Sequence, residues 1–451
     1  MKPQRVTIVG GGLTGPLLAL ILARRGVSVT LYERRPDPRT AGAEAGRSIN
    51  LALSSRGIRP LERACVYGEV EPLLIPMRGR MVHERFAEPV LQPYGQRAEE
   101  VIYSVGRAAL NRVLIGAAGR AGAELRFGQR CLGLDPAGDR LRLRDERSGQ
   151  EYETVPDVVI ATDGAGSVIR GALASAGAAK VRTEPLEHDY KEMTLPAVAG
   201  RPLLAPNALH IWPRGGFMLI ALANPDGSFT MTLFLAREGA QSFVELAEAS
   251  AAERFFAEQF PDLRAHLPRL LADLRRNPEG RLATVHTVGW HLGGKVLLLG
   301  DAAHAIVPFH GQGMNAGFED CAVLEDLLER CAGWPELFET FERLRQPNTE
   351  AIARMALENY LEMRDSVRDP DFLRRKQLAF ELEKHFPDRF IPRYSMVMFH
   401  PEISYLEALR RGQCQRELLE ELDRRRLPSG GIDMTLAEAR VRERLPALPA
   451  D

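Results

Sequence analysis

The sequence predicts an α/β protein of three parts: a lobe built on a parallel sheet, a second domain whose sheet is antiparallel, and a helical C-terminal region. Three observations predict it. Short apolar, β-branched runs pass straight into glycine- or aspartate-bearing turns near residues 5–15, 156–164 and 295–301. Between Ala205 and Arg237 three apolar strands are separated by turn signals. From Pro335 onward, apolar residues recur at helical spacing among many Glu and Arg.

Composition bounds what such a chain can do. At 451 residues it exceeds one ordinary core, so two or three structural units are expected. A net charge of -1 gives no basic field for nucleic acid and no polybasic run for anionic lipid. No stretch has the apolar length of a membrane span, and the charged start runs directly into a strand rather than a signal peptide. The five cysteines (Cys65, Cys131, Cys321, Cys331, Cys414) lie far apart without a CxxC, which suits neither zinc nor a disulfide framework. A reducing, cytoplasmic setting is expected, with no metal, no nucleic-acid partner and no membrane anchor.

The first element is the strand Arg5–Val9, and it ends in Gly10-x-Gly12-x-x-Gly15. Gly10 permits a tight turn, Gly12 lets backbone approach a pyrophosphate, and Gly15 allows close packing of helix on strand. The helix expected over Thr14–Arg25 offers unpaired N–H groups and a partial positive charge to phosphates. Gly26 reads as its C-cap, and a second strand over Val27–Tyr32 ends at Glu33. A carboxylate there can accept both hydroxyls of a ribose, and it would repel a 2′-phosphate. Strand, turn, helix, strand and acid in this order predict a Rossmann-like unit holding FAD or NAD rather than NADP.

Two later segments choose between them. "PDVVIATDGAGSVIR" (156–170) is a strand running into Asp163-Gly164, and "KVLLLGDAAHAIVPFHGQGMNAGFED" (295–320) is another running into Gly300-Asp301. An acid at the carboxyl end of a parallel strand suits the hydroxyls of a ribityl chain, which flavin has and NAD lacks. In the second segment a helix starting near Gly313-Met314-Asn315 would aim free N–H groups at the electron-rich edge of a reduced flavin. Pro308 stiffens the approach to it, and Gly311 and Gly313 keep side chains away. His310 and His304 read as histidines in structural hydrogen bonds, and no general base is assigned.

The GxGxxG, DG and GD motifs, in this order and spacing, resemble the single-component flavin aromatic hydroxylases, with Ala161 where that family carries glycine. The strings "GRSINLALSSRG", "MRGRMVHE", "HDYKEMTLP", "NALHIWPRG", "NPDGSFTMTLFL" and "VPFHGQGMNAGFED" are more specific, and from about residue 5 to 410 they resemble the kynurenine 3-monooxygenase family. That resemblance implies FAD as cofactor and NADPH and O₂ as co-substrates. The reaction it implies is hydroxylation of L-kynurenine to 3-hydroxy-L-kynurenine through a flavin C4a-hydroperoxide, within tryptophan catabolism and NAD biosynthesis. It implies an FAD-binding domain over 1–75, 100–178 and 280–334, an antiparallel-sheet substrate domain over 76–99 and 179–279, and a helical region over 335–451.

Carried over residue by residue, it places Gly10, Gly12, Leu13, Thr14, Gly15, Glu33, Arg34, Arg47, Ser48, Arg107, Leu132, Asp163, Gly164, Gly300, Asp301, Gly313, Met314 and Asn315 on the cofactor. Pro308, Phe309, His310 and Gly311 become the loop where oxygen meets flavin. Arg80, Tyr94, Asn359 and Tyr394 would clamp the substrate carboxylate, and Phe234 and Met363, with Pro308 and Phe309, would wall its ring. Chemistry agrees in kind, because an aromatic amino acid needs a cation, hydroxyl or amide donors and an apolar slot. Arg112 reads as a surface charge.

The meander "ALHIW", "FMLIALA", "FTMTLFLA" would roof that slot; Asn224-Pro225-Asp226-Gly227 is a turn in which proline sets φ and glycine supplies φ > 0. In the C-terminal part, Pro347-Asn348-Thr349-Glu350 reads as a helix start, and most of this region is expected only to stabilise. Monomer and homodimer both stay open. Alternatives are a hydroxylase of a related aromatic acid in secondary metabolism, an FAD reductase that does not activate oxygen, and a non-catalytic carrier on the same fold.

Overall fold

The strand Val6–Val9 is buried along its whole length and pairs in parallel with Val29–Glu33 on one side and Val158–Ala161 on the other. This computed structural model describes residues 5–40, 50–366, 369–426 and 431–448. The sheet continues with Val296–Leu298 beyond Val158–Ala161 and with Glu124–Phe127 beyond Val29–Glu33; only the short edge strand His291–Leu292 is antiparallel. Strands buried on both faces need apolar side chains at every position, which is why these segments show no alternation. The helix Thr14–Arg24 covers one face with eight buried residues. Parallel register has a direct consequence for function. Val9 sits level with Tyr32 and Ala161, and Ala161 with Leu298, so the turns at Gly10, Glu33, Asp163 and Asp301 leave the sheet at one edge.

The second large sheet orders its strands His188–Leu195, Phe229–Ala236, Met218–Ala223, Leu209–Pro213, Gly79–Val82 and Val90–Pro93. The three predicted meander strands are all present and antiparallel to one another. Their period of two is visible in burial. Leu219, Ala221 and Ala223 pack with Phe255, Phe256 and Leu270 from the helices Ala249–Gln259 and Leu267–Arg276, whereas Met218, Ile220 and Leu222 face the other way. Gly79–Val82 joins this sheet in parallel, with Arg80 level with Leu209. A small sheet of Asn50–Leu53, Ile102–Gly106 and Ile75–Met77 lies between the lobes, and a ribbon of Lys180–Pro185 with Ala283–Val288 links them.

The C-terminal region is helical, as expected, but one boundary differs. A single helix runs Trp334–Leu361 straight through Pro347, where a helix start is predicted. Proline removes one N–H, yet Asn348 donates to the Leu344 carbonyl (2.8 Å) and the Thr349 hydroxyl to the Gln346 carbonyl (3.0 Å), so side chains satisfy carbonyls around the break. Phe338 and Phe341 bury the first half in the parallel-sheet core, and Ile352, Met355 and Ala356 bury the second half in neighbouring clusters, so both halves are held. Five residues of π-helix follow, Glu362–Ser366, then the helices Pro370–His385, Arg393–Phe399, Tyr405–Arg424 and Met434–Arg444. Among the described residues no helix is long and apolar enough to cross a membrane.

Candidate active site

A single continuous cavity of about 760 Å³ runs from the glycine turn at the edge of the parallel sheet to the inner face of the antiparallel sheet. At the first end the chain bares its backbone. Gly10 stands at φ 112°, and a Cβ there would press into the Thr162 carbonyl, so only glycine closes the turn. A Cβ at Gly15 would overlap the Gly10 carbonyl oxygen, which is the close helix–strand approach predicted for it. Gly12 is different. A Cβ there meets nothing within 4 Å, so its open face belongs to the cavity and not to the packing.

Carboxylates ring this end. Glu33 accepts from Gly11 N–H (2.6 Å) and from the Arg35 N–H and Nε (2.9 and 2.8 Å). Burial works against its charge, but the Arg35 guanidinium outweighs it and holds the acid below its usual range. Asp163 spends Oδ2 on the Val168 N–H (2.8 Å) and leaves Oδ1 buried without a partner. Asp301 opens to the cavity while protein surrounds it elsewhere; burial pushes both these carboxyls up. A buried acid oxygen with no donor, facing a cavity, fits a ligand that brings hydroxyl groups.

The far end is built from side chains. Arg80 is 5% exposed; it donates to Glu362 Oε1 (3.2 Å) and to Asn359 Oδ1 (3.3 Å), while its Nε has no partner. Its guanidinium lies 4.9 Å from the Tyr394 ring and 6.0 Å from that of Tyr94, and those rings stack on each other at 5.5 Å. Burial opposes the charge, but the surrounding Tyr394 and Glu362 hold it in place and keep the guanidinium above its usual pKa. Burial pushes both tyrosine hydroxyls up, so they remain neutral donors.

Between the two ends run Met218, Ile220, Leu222, Phe234, Phe309 and Met363, an apolar wall. Pro308–His310 forms one turn of 3₁₀-helix, and Gly311 follows at φ 65° against Ala52. Asn359 Nδ2 holds the Phe309 carbonyl (2.7 Å), and the His310 ring stacks on Tyr394 at 5.2 Å. Burial, with three arginine charges nearby, pushes His310 down to about 3, so the ring is neutral at physiological pH. The helix Gly313–Arg330 begins at the same place, its first N–H groups unpaired within the helix.

Comparison with known proteins decides the family. The FAD binding domain family matches residues 4–356. Kynurenine 3-monooxygenase of Xanthomonas oryzae pv. oryzae (strain KACC10331 / KXO85) is 45% identical across 99% of this chain and 98% of its own length. The same-named protein of Myxococcus xanthus (strain DK1622) is 46% identical across 98% and 96%. The chain belongs to the kynurenine 3-monooxygenase family. It is a flavin-dependent monooxygenase with FAD as cofactor. Two solved structures are similar in fold. 2-Methyl-3-hydroxypyridine-5-carboxylic acid oxygenase superposes with TM-score 0.66 at 20% identity, over 82% of this chain and 95% of that one. P. aeruginosa PqsL in complex with 2-aminobenzoylacetate gives 0.64 at 21%, over 80% and 97%.

The residues expected on the cofactor and the substrate are placed as follows. Gly10, Gly12, Leu13, Thr14, Glu33, Arg34, Arg107, Asp163, Gly164, Asp301, Gly313 and Met314 line the cavity, as do Arg80, Tyr94, Phe234, Pro308, Phe309, His310, Gly311, Met363 and Tyr394. Gly15 lies beneath it, and Gly300 (φ 62°) turns the chain so that its N–H reaches Asp320 (3.0 Å). Asn315 is turned away: it braces Ser54 N–H, the Ala52 carbonyl and the Gly311 carbonyl at 2.7–3.0 Å. Leu132 also falls outside the lining, which Gln129, Arg130 and Cys131 supply. The strand Gln129–Leu134 shifts register there, with Gly133 opposite Arg142 and Cys131 opposite Leu143, so Leu132 is passed over. Arg47 and Ser48 lie outside the described residues.

Residue-level reading missed three participants. Asn111 holds the Gly12 carbonyl (2.6 Å) from outside the cavity, one helical turn after Arg107. Glu362 is the counter-ion of Arg80, at the first residue of the π-helix that follows the helix carrying Asn359. Met398 closes the slot from the helix Arg393–Phe399, four residues after Tyr394.

Proposed function

We propose that the chain hydroxylates L-kynurenine to 3-hydroxy-L-kynurenine, consuming NADPH, a proton and O₂ and releasing NADP⁺ and water. One observation carries the reading: a buried arginine with an unpartnered Nε stands at the end of an apolar slot that opens into the same cavity as the glycine cradle. When bound, FAD supplies the hydride-accepting and oxygen-activating chemistry. Gly12 and the start of the helix Thr14–Arg24 would take its pyrophosphate, Glu33 a ribose, and Asp163 and Asp301 its polyol hydroxyls. The first N–H groups of Gly313–Arg330 would face the electron-rich edge of its ring.

The substrate carboxylate would sit on Arg80 Nε with the Tyr94 and Tyr394 hydroxyls, Asn359 holding the arginine from the side. Phe234, Phe309 and Met363 would orient the ring and exclude water, work that belongs to positioning more than to proton transfer. An aniline nitrogen already enriches the carbon ortho to it, so no side-chain base is needed. The Gly-x-Gly-x-x-Gly turn occurs once, which supports a nicotinamide that visits rather than resides. The five unpaired cysteines support a cytoplasmic enzyme.

Oxygen uptake and product mass, each measured with and without L-kynurenine, test the reading. Stimulated uptake with a product heavier by one oxygen atom is expected. Uptake that kynurenine leaves unchanged, or NADPH oxidation without O₂ consumption, would overturn it.

A further inference from the structure

We propose that Arg56 is a positioning residue that locks the substrate wall to the flavin-facing helix. The proposal rests on the site assignment given under Proposed function. Arg56 lies in the helix Ser55–Arg63 and is 1% exposed, deep between the parallel-sheet lobe and the C-terminal region. Its NH1 donates to Glu319 Oε1 (2.6 Å), on the helix Gly313–Arg330. Its NH2 donates to the carbonyls of Ile403 (2.7 Å), His400 (3.2 Å) and Met396 (3.4 Å), and Nε to that of Val397 (3.3 Å). The guanidinium also lies 4.1 Å from the centre of the Tyr405 ring.

Those carbonyls identify the role. Met396 and Val397 belong to the last turns of the helix Arg393–Phe399, whose terminal carbonyls have no intrahelical donors. A cation placed there satisfies them and complements the helix dipole. That helix carries Tyr394 and Met398, two residues of the cavity wall. A second connection runs beside the first: the Tyr405 hydroxyl donates to Gln312 Oε1 (2.7 Å), and Gln312 Nε2 approaches Met398 Sδ (2.9 Å). Gln312 immediately precedes the helix Gly313–Arg330. Arg56 and Tyr405 therefore join the element that faces the flavin edge to the element that presents Tyr394. A shift of one relative to the other changes the distance between substrate ring and flavin.

The guanidinium matters as well as the charge. Four carbonyls and a carboxylate surround five N–H donors in a planar fork, and a lysine ammonium has three donors at a point. Glu319 is shared with Arg345 (2.5 Å), and Arg345 also holds Asp320 (2.6 Å), so each of the two cations has a carboxylate partner.

The test compares Arg56→Lys and Tyr405→Phe with the wild-type holoenzyme. In Arg56→Lys the share of NADPH electrons recovered in hydroxylated product should fall at least threefold, the rest appearing as H₂O₂, while bound FAD stays within twofold. Hydrogen–deuterium exchange over residues 393–405 should accelerate, and over 14–24 it should not. Tyr405→Phe should move both readouts the same way by less. A merely structural role would lower the melting temperature and leave coupling and local exchange in the surviving holoenzyme at wild-type values, and that result would overturn the proposal. If Arg56→Lys does not accumulate folded, Tyr405→Phe decides alone, unchanged coupling and exchange counting against. The exchange experiment needs no turnover, so it stands even if wild type proves inactive on L-kynurenine.

Discussion

The two ends of the cavity are made of different material. At the glycine end the chain contributes backbone: open faces at Gly12 and Gly164, helix N-termini, and carboxylates placed by strand ends that share one register. At the arginine end it contributes side chains from segments far apart, namely Arg80, Tyr94, Glu362 and Tyr394, which meet only in the packed fold. Backbone sites are set by local rules, so they tolerate change nearby and fail at single glycines. Side-chain sites depend on tertiary convergence, so they fail when any one member or its support is removed.

The sharpest break should come at Arg80. Arg80→Ala removes the buried cation proposed to meet the substrate carboxylate, a loss of about 2–5 kcal/mol, so KM for the aromatic amino acid should rise by at least about thirtyfold. FAD content, read from the absorbance of the purified protein, should hold. A KM within twofold of wild type would remove Arg80 from the acid site. Gly12→Ala makes the opposite cut. The added methyl meets nothing in the protein itself, so the melting temperature of the FAD-free form should not move. FAD affinity should fall about tenfold to a hundredfold, the scale of one charge-assisted hydrogen bond at about 1.5–3 kcal/mol. Equal losses of stability and affinity would make Gly12 a packing residue instead.

The same contrast decides what could be read before folding. At the glycine end, Gly10, Gly12, Gly15 and Glu33 lie within one strand–helix–strand unit, and their spacing alone prescribes the geometry. Where reading by spacing diverged, tertiary context had won. Asn315 sits in the helix start as expected, but close packing of Gly57 on it turns its amide to brace Ser54 and Gly311. Pro347 carries every local mark of a helix start, yet burial on both sides keeps one helix running through it. At the arginine end no spacing connects residue 80 with 362 or 394. Only likeness to a family pointed there, and it passed over Glu362, whose pairing with Arg80 exists in three dimensions alone. The strand Met218–Ala223 was legible as part of a meander, but its residues are all apolar, so only packing shows that Met218, Ile220 and Leu222 are the ones that face the cavity.

Glu362 offers a smaller and more discriminating change. Its carboxylate is about a quarter exposed, at 27%, and stands beside the position proposed for the substrate's own carboxylate. Glu362→Gln removes a like charge that a plain aromatic acid must face and that an amino acid can balance with its ammonium. The preference for the amino acid over its des-amino counterpart should drop about fivefold, on the order of 1 kcal/mol for a partly exposed pair. Titrating both ligands against the flavin absorbance measures it, and an unchanged ratio would place Glu362 outside the recognition set.

His310 gives the smallest effect, and at pH 7 it vanishes. Buried among Arg393, Arg80 and Arg56, the ring takes a proton in the fold only near pH 3, whereas in the unfolded chain it does so near its ordinary value of about 6.5. Between those values the unfolded state binds the extra proton, so folding stability falls as pH drops from about 6.5 toward 3, by at most about 1.4 kcal/mol per pH unit. His310→Gln keeps a polar ring-sized group without that proton. Urea unfolding of both proteins at pH 7 and pH 5.5 should show the variant losing about 1 kcal/mol less than wild type across the interval. Identical losses would mean that His310 takes its proton as readily in the fold as in the unfolded chain, and a ring stacked on Tyr394 that titrates near its ordinary value of about 6.5 would then be a candidate proton donor at the flavin loop rather than a permanently neutral wall.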